Sequence, residues 1–170
     1  MPHLVPVCEL NRLPADRFAE ALRPLFEAAN PLAKLLYARR PVSSYEQLID
    51  TAERLTNVLE EPSKIAVLNA HPRIGESAAV LRRTSALSSR EQGAEDPATD
   101  ALLKELNAEY EQRFGFRFVV FVNRRPRSAI LEVLRERLRN PRDRELQTAV
   151  AEMFRIARDR LHTLSSPDIS

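Results

Sequence analysis

Apolar residues recur at the spacing of an amphipathic helix along almost the whole chain, and this periodicity most restricts the possible fold. The clearest stripe consists of Leu48, Ile49, Ala52, Leu55 and Leu59. A capping-box pattern precedes it, formed either by Ser43 with Glu46 or by Ser44 with Gln47. Helices with one apolar face can bury it against other helices when no sheet is available. We therefore predict an all-α protein, a compact multi-helix domain with at most one short extended segment.

Prolines and glycines divide the chain into further predicted helices. Pro24 should kink or break the stripe that precedes and follows it, and Pro31 and Pro62 should each open a helix. The helix that begins at Pro62 should end near His71, because Pro72 disfavours helical geometry in the residue before it. The remaining predictions are a helix around 76–87, a loop over 88–99, a long helix over 98–114 that aligns Leu102, Leu106 and Tyr110 and stops at Gly115, an extended run over 116–122, a helix capped by Ser128, and a last helix after Asn140 and Pro141.

Length and charge restrict the class of protein. The chain has 170 residues, and we predict one domain over 1–170. Its 26 basic and 24 acidic residues are interleaved and give a net charge of +2, which argues against an arginine-rich nucleic-acid binder. Cys8 is the only cysteine, so no intrachain disulfide can form. The sequence predicts neither a membrane span nor a secretory signal, and we expect a cytoplasmic protein.

Three residues are candidates for chemistry, and each has a structural alternative. His71 suits proton transfer, but its position at a helix end is also typical of a histidine that caps the helix and interacts with its dipole. Glu91 suits acid–base or electrostatic work, but Ser88 and Glu91 also have capping-box spacing. Arg137 suits a carboxylate or carbonyl ligand, but its stem could lie over the core with its head in water. The histidines His3, His71 and His162 lack the spacing of a helical metal site.

An ordered set of short motifs resembles the OHCU decarboxylase family, whose substrate is 2-oxo-4-hydroxy-4-carboxy-5-ureidoimidazoline (OHCU). The resemblance extends from about Leu10 to Leu164. The motifs, in chain order, are Leu10-Asn11, Phe18, His71-Pro72-Arg73-Ile74-Gly75, Ser88 with Glu91-Gln92-Gly93, Tyr110, Phe114-Gly115-Phe116 with Phe118-Val119, Ile130-Leu131, Arg137-Leu138 with Asn140, Glu145, Ala149, Ile156 and Arg160-Leu161. Many relatives have Asp-Leu where this chain has Arg73-Ile74.

The resemblance implies an all-helical, commonly homodimeric carboxy-lyase that uses no metal or organic cofactor. It implies that His71 and Glu91 are the catalytic pair. It also implies that the substrate is held by Pro72, Ser88, Gln92, Arg137 and backbone groups of Phe118, Val119, Val120 and Phe121. The expected reaction is the stereospecific decarboxylation of OHCU to S-allantoin in urate degradation, without nucleic-acid or membrane partners. The alternatives are a decarboxylase of a related ureide or heterocyclic acid, and a non-catalytic helical interaction module.

The predicted independence from metals can be tested directly. Because the sequence lacks metal-ligand spacing and the substrate's ring can accept the electron pair, we expect full decarboxylase activity after dialysis against a chelator. The measurement is the initial rate on freshly generated OHCU before and after dialysis. A lasting loss of rate that a divalent ion restores would contradict the expectation.

Overall fold

The computed structural model describes residues 3–27, 30–74 and 96–165, and in these ranges every regular element is a helix. The all-α prediction is therefore confirmed. The helices are α1 (Val7–Leu10), α2 (Ala15–Ala21), α3 (Arg23–Phe26), α4 (Asn30–Tyr37), α5 (Tyr45–Asn57), α6 (Glu61–Leu68), α7 (Pro97–Phe114), α8 (Arg127–Arg137) and α9 (Arg142–Ser165). The predicted helix over 76–87 lies outside the described residues.

Prolines begin several helices. Pro62 does so as predicted, and Pro24 breaks the preceding stripe by starting α3. Pro97 starts α7 although it lies in the predicted loop over 88–99, so the end of that loop is wrong. Pro24, Pro62 and Pro97 each stand in the first turn of a helix, where a missing N–H costs no intrahelical bond. Before α5, Ser44 is the capping residue, and its hydroxyl accepts the N–H of Gln47 at 3.1 Å. The side-chain oxygen of Gln47 accepts the N–H of Ser43 at 3.2 Å. The second of the two capping alternatives is therefore the correct one.

The chain packs as two compact units. The first contains Met1–Ala70 and Phe154–Ser170, and the second contains His71–Met153. Helix α9 is continuous along the chain, so its first twelve residues belong to the second unit and the rest to the first. One domain over 1–170 stays a prediction.

In the first unit, Arg40 and Asn11 connect the chain around α2 with the segment that follows α4. Arg40 donates to the carbonyls of Asn11 and Leu13, both at 2.9 Å, and its guanidinium lies 3.6 Å from the centroid of the Tyr37 ring. The Asn11 amide exchanges two hydrogen bonds with the backbone of Val42, each 2.9 Å long. The buried apolar core of this unit includes Phe18, Leu25, Leu32, Leu36, Leu48, Ile49 and Phe154.

In the second unit, an aromatic cluster forms the core between α7 and the chain after it. The Tyr110 ring lies 4.6 Å from Phe114, 5.9 Å from Phe116 and 5.2 Å from Phe118, measured between centroids. Gly115 allows these rings to meet because it ends α7 in the left-handed conformation, with φ of 81°, and reverses the direction of the chain. The turn places the residues after Gly115 against α7.

Two details of the predicted helices are wrong. Ser128 does not cap α8, since Pro126 precedes the helix and its carbonyl accepts the N–H groups of Ala129 and Ile130 at 2.9 and 3.2 Å. On α7, the buried face contains Leu103, Asn107, Tyr110 and Phe114, whereas Leu102 and Leu106 are only half-buried. The helix turns this way because Tyr110 and Phe114 share the aromatic cluster. The polar Asn107 fits there because its amide donates to the carbonyl of Ile74 at 2.7 Å.

The run over 116–122 is not helical and, among the residues that the structure describes, has no strand partner. Most of its side chains are nevertheless buried: Phe116, Phe118, Val119, Val120 and Val122. The prediction of at most one short extended segment therefore agrees with the structure. In the same described part of the chain, no helix combines the length and apolar character needed to cross a membrane.

The first unit generates a prediction about alkaline stability. The Tyr45 hydroxyl donates to the carbonyl of Val5 at 2.7 Å. Burial, with a contribution from the negative charge of Glu9, raises the pKa of Tyr45 from 10.0 to about 12. The unfolded chain therefore loses this proton first, and the stabilisation present below pH 10 is lost as the pH approaches 12.

The test compares the parent with Tyr45→Phe by urea denaturation at several pH values. At neutral pH the variant should be less stable by about 1 kcal/mol, because one buried hydrogen bond is missing. The difference should shrink in the alkaline range, since only the parent has the Tyr45 proton to lose. A difference that stays constant across that range would contradict the assignment.

Candidate active site

The first predicted catalytic residue, His71, follows α6 directly. The helix ends at Leu68, and the N–H groups of Asn69 and Ala70 close its last turn. His71 is buried, with 4% of its surface exposed, and its carbonyl accepts a hydrogen bond from Arg117 at 3.0 Å. A buried histidine beside a proline is held in a defined place, as a proton carrier requires. Its proposed role stays a prediction.

The residues after His71 are fixed to α7 by polar contacts. Arg73 forms a two-pronged ion pair with Glu111, with Nε–Oε1 at 2.6 Å and Nη2–Oε2 at 3.0 Å. The carbonyl of Ile74 accepts the Asn107 amide. Arg73 and Ile74 thus attach the segment after His71 to α7.

Side chains, not a neighbouring strand, bind the backbone of the run over 116–122. The Val119 carbonyl accepts Arg137 Nη1 at 2.6 Å, and the Phe121 N–H donates to Glu152 at 2.7 Å. Arg125 donates to the carbonyls of Phe121 and Val122 at 2.6 and 3.1 Å. A buried run needs such partners, because an unsatisfied peptide group is costly away from water.

Between Phe118 and Phe121 the bound backbone groups alternate, and beyond them Arg125 binds the carbonyls of both Phe121 and Val122. The backbone groups of Val119 and Phe121 form hydrogen bonds with side chains of the protein. The backbone groups of Phe118 and Val120 form none with the rest of the described chain. In an extended chain, successive residues direct their N–H and C=O groups to opposite edges. The polar groups of Phe118 and Val120 are therefore directed to the edge opposite to that of Val119 and Phe121.

Arg137 lies in a buried polar cluster, so the alternative of a solvated guanidinium is wrong. Only 6% of the surface of Arg137 is exposed, and its ion-pair partner Glu145 is fully buried. Arg137 Nε donates to Glu145 Oε1 at 2.5 Å, and the guanidinium lies 4.6 Å from the Phe118 ring centroid. Glu145 also accepts the Tyr110 hydroxyl at 2.5 Å and the Asn140 amide at 3.0 Å. We name Tyr110, Arg137 and Glu145, together with the half-buried Asn140, the buried cluster.

The Tyr110 hydroxyl in this cluster is a neutral donor. Burial raises the pKa of Tyr110; the positive charge of Arg137 lowers it in part, and the hydrogen bond to Glu145 raises it again. The net pKa is far above the ordinary value, so the proton stays on the hydroxyl at every physiological pH. The cluster thus contains one cation and one anion, which is the balance that burial demands.

Of the predicted site residues, those described all lie in the second unit. These are His71, Pro72, Phe118, Val119, Val120, Phe121 and Arg137. One hydrogen bond joins Arg137 to Val119. Another joins His71 to Arg117, the residue before Phe118. Ser88, Glu91 and Gln92 lie outside the described residues, so their placement stays a prediction.

Sequence reasoning gave no role to Tyr110, Glu145 or Arg117, although these residues fix Arg137 and His71. Tyr110 and Glu145 are 35 positions apart, and no local spacing connects them. Sequence reasoning also missed a cleft of about 440 Å³ in the first unit, lined by Glu46, Ile49, Asp50, Arg158, Leu161, His162 and Ser165. The described residues include no group of three or more His, Cys, Asp or Glu side chains placed to hold a metal ion.

Comparisons with known proteins agree on one family. The family model described as OHCU decarboxylase matches residues 11–162. The 2-oxo-4-hydroxy-4-carboxy-5-ureidoimidazoline decarboxylase of Halalkalicoccus jeotgali is 27% identical over 164 residues, covering 94% of this chain and 91% of that protein. The uric acid degradation bifunctional protein PucL of Bacillus subtilis is 29% identical over 158 residues, covering 90% of this chain and 31% of that protein.

A solved structure shows the same fold. It is described as a crystal structure of OHCU decarboxylase in the presence of (S)-allantoin, and it superposes with a TM-score of 0.68 at 22% identity. The match covers 85% of this chain and 97% of that one.

The buried cluster generates a prediction about stability. Arg137→Met removes the cation and leaves the carboxylate of Glu145 buried without its ion-pair partner, so the free energy of unfolding should fall by about 3–5 kcal/mol. The matched control is Arg158→Met, because Arg158 also forms ion pairs, with Asp50 and Glu53, but is exposed. That variant should lose about 1 kcal/mol or less. Urea denaturation measures both, and equal losses would contradict the importance of burial.

Proposed function

The chain belongs to the OHCU decarboxylase family, and on that premise we propose that it converts OHCU to S-allantoin and carbon dioxide in urate degradation. The observation that carries the proposal is the family match over residues 11–162, which contains His71, Glu91 and Arg137. The proteins of Halalkalicoccus jeotgali and Bacillus subtilis support the substrate and the pathway through their names.

The substrate's chemistry explains how such a reaction proceeds without a cofactor. One ring carbon of OHCU carries both the carboxylate and a hydroxyl, next to a ring C=N bond. When the bond to the carboxylate breaks, carbon dioxide leaves and the electron pair forms a double bond to the neighbouring ring carbon. The π pair of the C=N bond moves to its nitrogen, which takes up a proton. The hydroxyl then loses its proton and becomes a carbonyl, while a proton adds to the neighbouring carbon that bears the ureido group. Addition to one face gives one enantiomer.

The protein must therefore hold a planar, polar ring and direct one proton to one face. We assign the guanidinium of Arg137 to an anionic or carbonyl oxygen of the substrate, through a two-pronged contact. The backbone groups of Phe118 and Val120 suit the ring's amide-like edge, since they lie on the edge of the run opposite to the bound Val119 and Phe121. Such preorganised donors and acceptors are the larger part of catalysis in reactions of this kind.

We assign proton transfer and control of the carboxylate to His71 and Glu91. His71 either orients the substrate hydroxyl or supplies the proton, and burial beside Pro72 limits its motion. Glu91, by like-charge proximity, favours departure of the carboxylate or binds the hydroxyl. Pro72, Ser88 and Gln92 complete the proposed pocket. These roles follow from the family resemblance, and the variants below test them.

We further propose a homodimer in the cytoplasm that needs no metal or organic cofactor. The support is the family resemblance and, for the compartment, a chain with a single exposed cysteine, Cys8. Analytical ultracentrifugation of the purified chain tests the dimer, and a monomer across the micromolar range would overturn it.

Direct assay tests the activity. OHCU is generated in the cuvette from 5-hydroxyisourate and its hydrolase, and circular dichroism follows the product with and without the chain. We expect rapid appearance of S-allantoin, whereas spontaneous decay gives the racemate. No enantiomeric excess would overturn the proposal. Turnover of another ureide or heterocyclic acid instead of OHCU would favour a related decarboxylase. No turnover of any of these substrates would favour the non-catalytic interaction module.

Two variants separate catalysis from a structural role. We expect His71→Ala and Glu91→Ala to remain folded and to lose about 10²–10⁴ in rate, the usual cost of removing a positioned acid or base. Loss of a helix cap would cost only about 1 kcal/mol of stability. If both residues act on one step, the double variant should be little slower than either single variant.

Melting temperature and the rate of S-allantoin formation are measured for all four proteins. A folded Glu91→Ala that forms S-allantoin at the parent rate would leave Glu91 with a capping role. The same result for His71→Ala would remove its catalytic assignment.

A further inference from the structure

We propose that Glu145 is a positioning residue that orients the Arg137 guanidinium toward the substrate. The inference rests on the proposed function for its account of the substrate. Its structural basis is the buried cluster of Tyr110, Arg137, Asn140 and Glu145, in which a fully buried carboxylate collects three donors.

The two oxygens of Glu145 have different partners. Oε1 accepts both the Tyr110 hydroxyl and Arg137 Nε, each at 2.5 Å, whereas Oε2 accepts the Asn140 amide at 3.0 Å. The donors come from α7, from the end of α8 and from the turn before α9. Contacts from three directions fix both the position and the rotation of the carboxylate, and through Nε they fix the rotation of the guanidinium.

Three of the five N–H donors of Arg137 point into the protein. Nε binds Glu145, Nη1 binds the Val119 carbonyl at 2.6 Å, and Nη2 lies 3.4 Å from the Tyr110 hydroxyl. One donor on each terminal nitrogen is left for a ligand. A guanidinium donor suits a carboxylate or a carbonyl of a planar ligand.

The same guanidinium binds the run that carries the proposed ligand edge. Val119 separates Phe118 from Val120, so its bond to Arg137 sets the register of both neighbours. The Phe118 ring also lies against the guanidinium. Rotation of Arg137 would therefore displace two parts of the proposed pocket together, and Glu145 prevents that rotation.

A positioning role and a purely structural role affect the kinetics differently. If Glu145 only stabilises the fold, its loss lowers the fraction of active molecules, so kcat falls and KM is unchanged. If Glu145 orients Arg137, each folded molecule binds substrate less well, so KM rises. A charge-assisted hydrogen bond contributes enough that we expect KM to rise roughly tenfold or more in Glu145→Gln.

The kinetic test compares Glu145→Gln, Arg137→Lys and the double variant on freshly generated OHCU. We expect a similar rise in KM for each single variant and little further rise in the double variant, because the residues act through one contact. The matched control is Asp100→Asn. Asp100 of α7 pairs with Arg127 at the opposite end of α8, so the control also removes the charge of a carboxylate that holds this helix. Its KM should equal that of the parent.

A second readout does not depend on activity. The Nε–H proton of Arg137 is buried on a carboxylate, so its NMR signal should be shifted downfield and exchange slowly with water. Arg137→Lys assigns the signal by its absence. In Glu145→Gln we expect the signal to move upfield and exchange faster, whereas Asp100→Asn should leave it in place.

Each outcome decides a separate point. An unchanged Nε–H signal in folded Glu145→Gln would overturn the positioning role. So would an unchanged KM of Glu145→Gln, provided that the parent protein is active on OHCU. A parent without activity on OHCU overturns the proposed function, and the NMR signal then decides alone whether Glu145 holds the guanidinium. If Glu145→Gln does not fold, Tyr110→Phe takes its place, since it keeps the ring and removes one donor from Oε1. The positioning role then requires Tyr110→Phe to shift both KM and the Arg137 signal.

Discussion

The need to satisfy a buried backbone without a sheet determines how the second unit is built. The run over 116–122 enters the core, yet no strand lies beside it among the residues that the structure describes. Long polar side chains from neighbouring segments take the place of a strand, with Arg137 on Val119 and Glu152 on Phe121. Each of these side chains brings charge into the interior, and Arg137 in turn requires Glu145. The buried cluster is thus a consequence of the unpaired run.

Most of the helical fold could be predicted from the sequence, because local rules determine where helices begin and end. Pro24, Pro62 and Gly115 act as their conformational restrictions require. The prediction that Ser128 is a cap is wrong because Pro126, two residues earlier, already defines the start of α8. On α7, the apolar stripe gave the wrong buried face, since the position of Asn107 depends on a distant carbonyl that no periodicity can reveal.

The candidate site could be predicted only in part, and for a physical reason. Taken alone, Arg137 looks like a surface residue on the border of an apolar stripe, and only the family resemblance suggested a ligand. Its partners Tyr110, Val119 and Glu145 come from three different segments, so no short motif contains the cluster. His71 was recognisable beside Pro72, but the contact from Arg117 that holds its carbonyl joins residues 46 positions apart.

The continuity of α9 has a consequence for how the chain is made. The first unit is discontinuous in sequence, because residues up to Ala70 share their core with Phe154 and the residues beyond it. Glu27, buried after α3, also pairs with Arg160 of that late segment at 2.9 Å. During synthesis the amino-terminal helices leave the ribosome long before these partners exist, so they cannot reach their final packing as a finished module. The second unit is contiguous and can form first, which makes the amino-terminal helices the part that depends on nascent-chain protection.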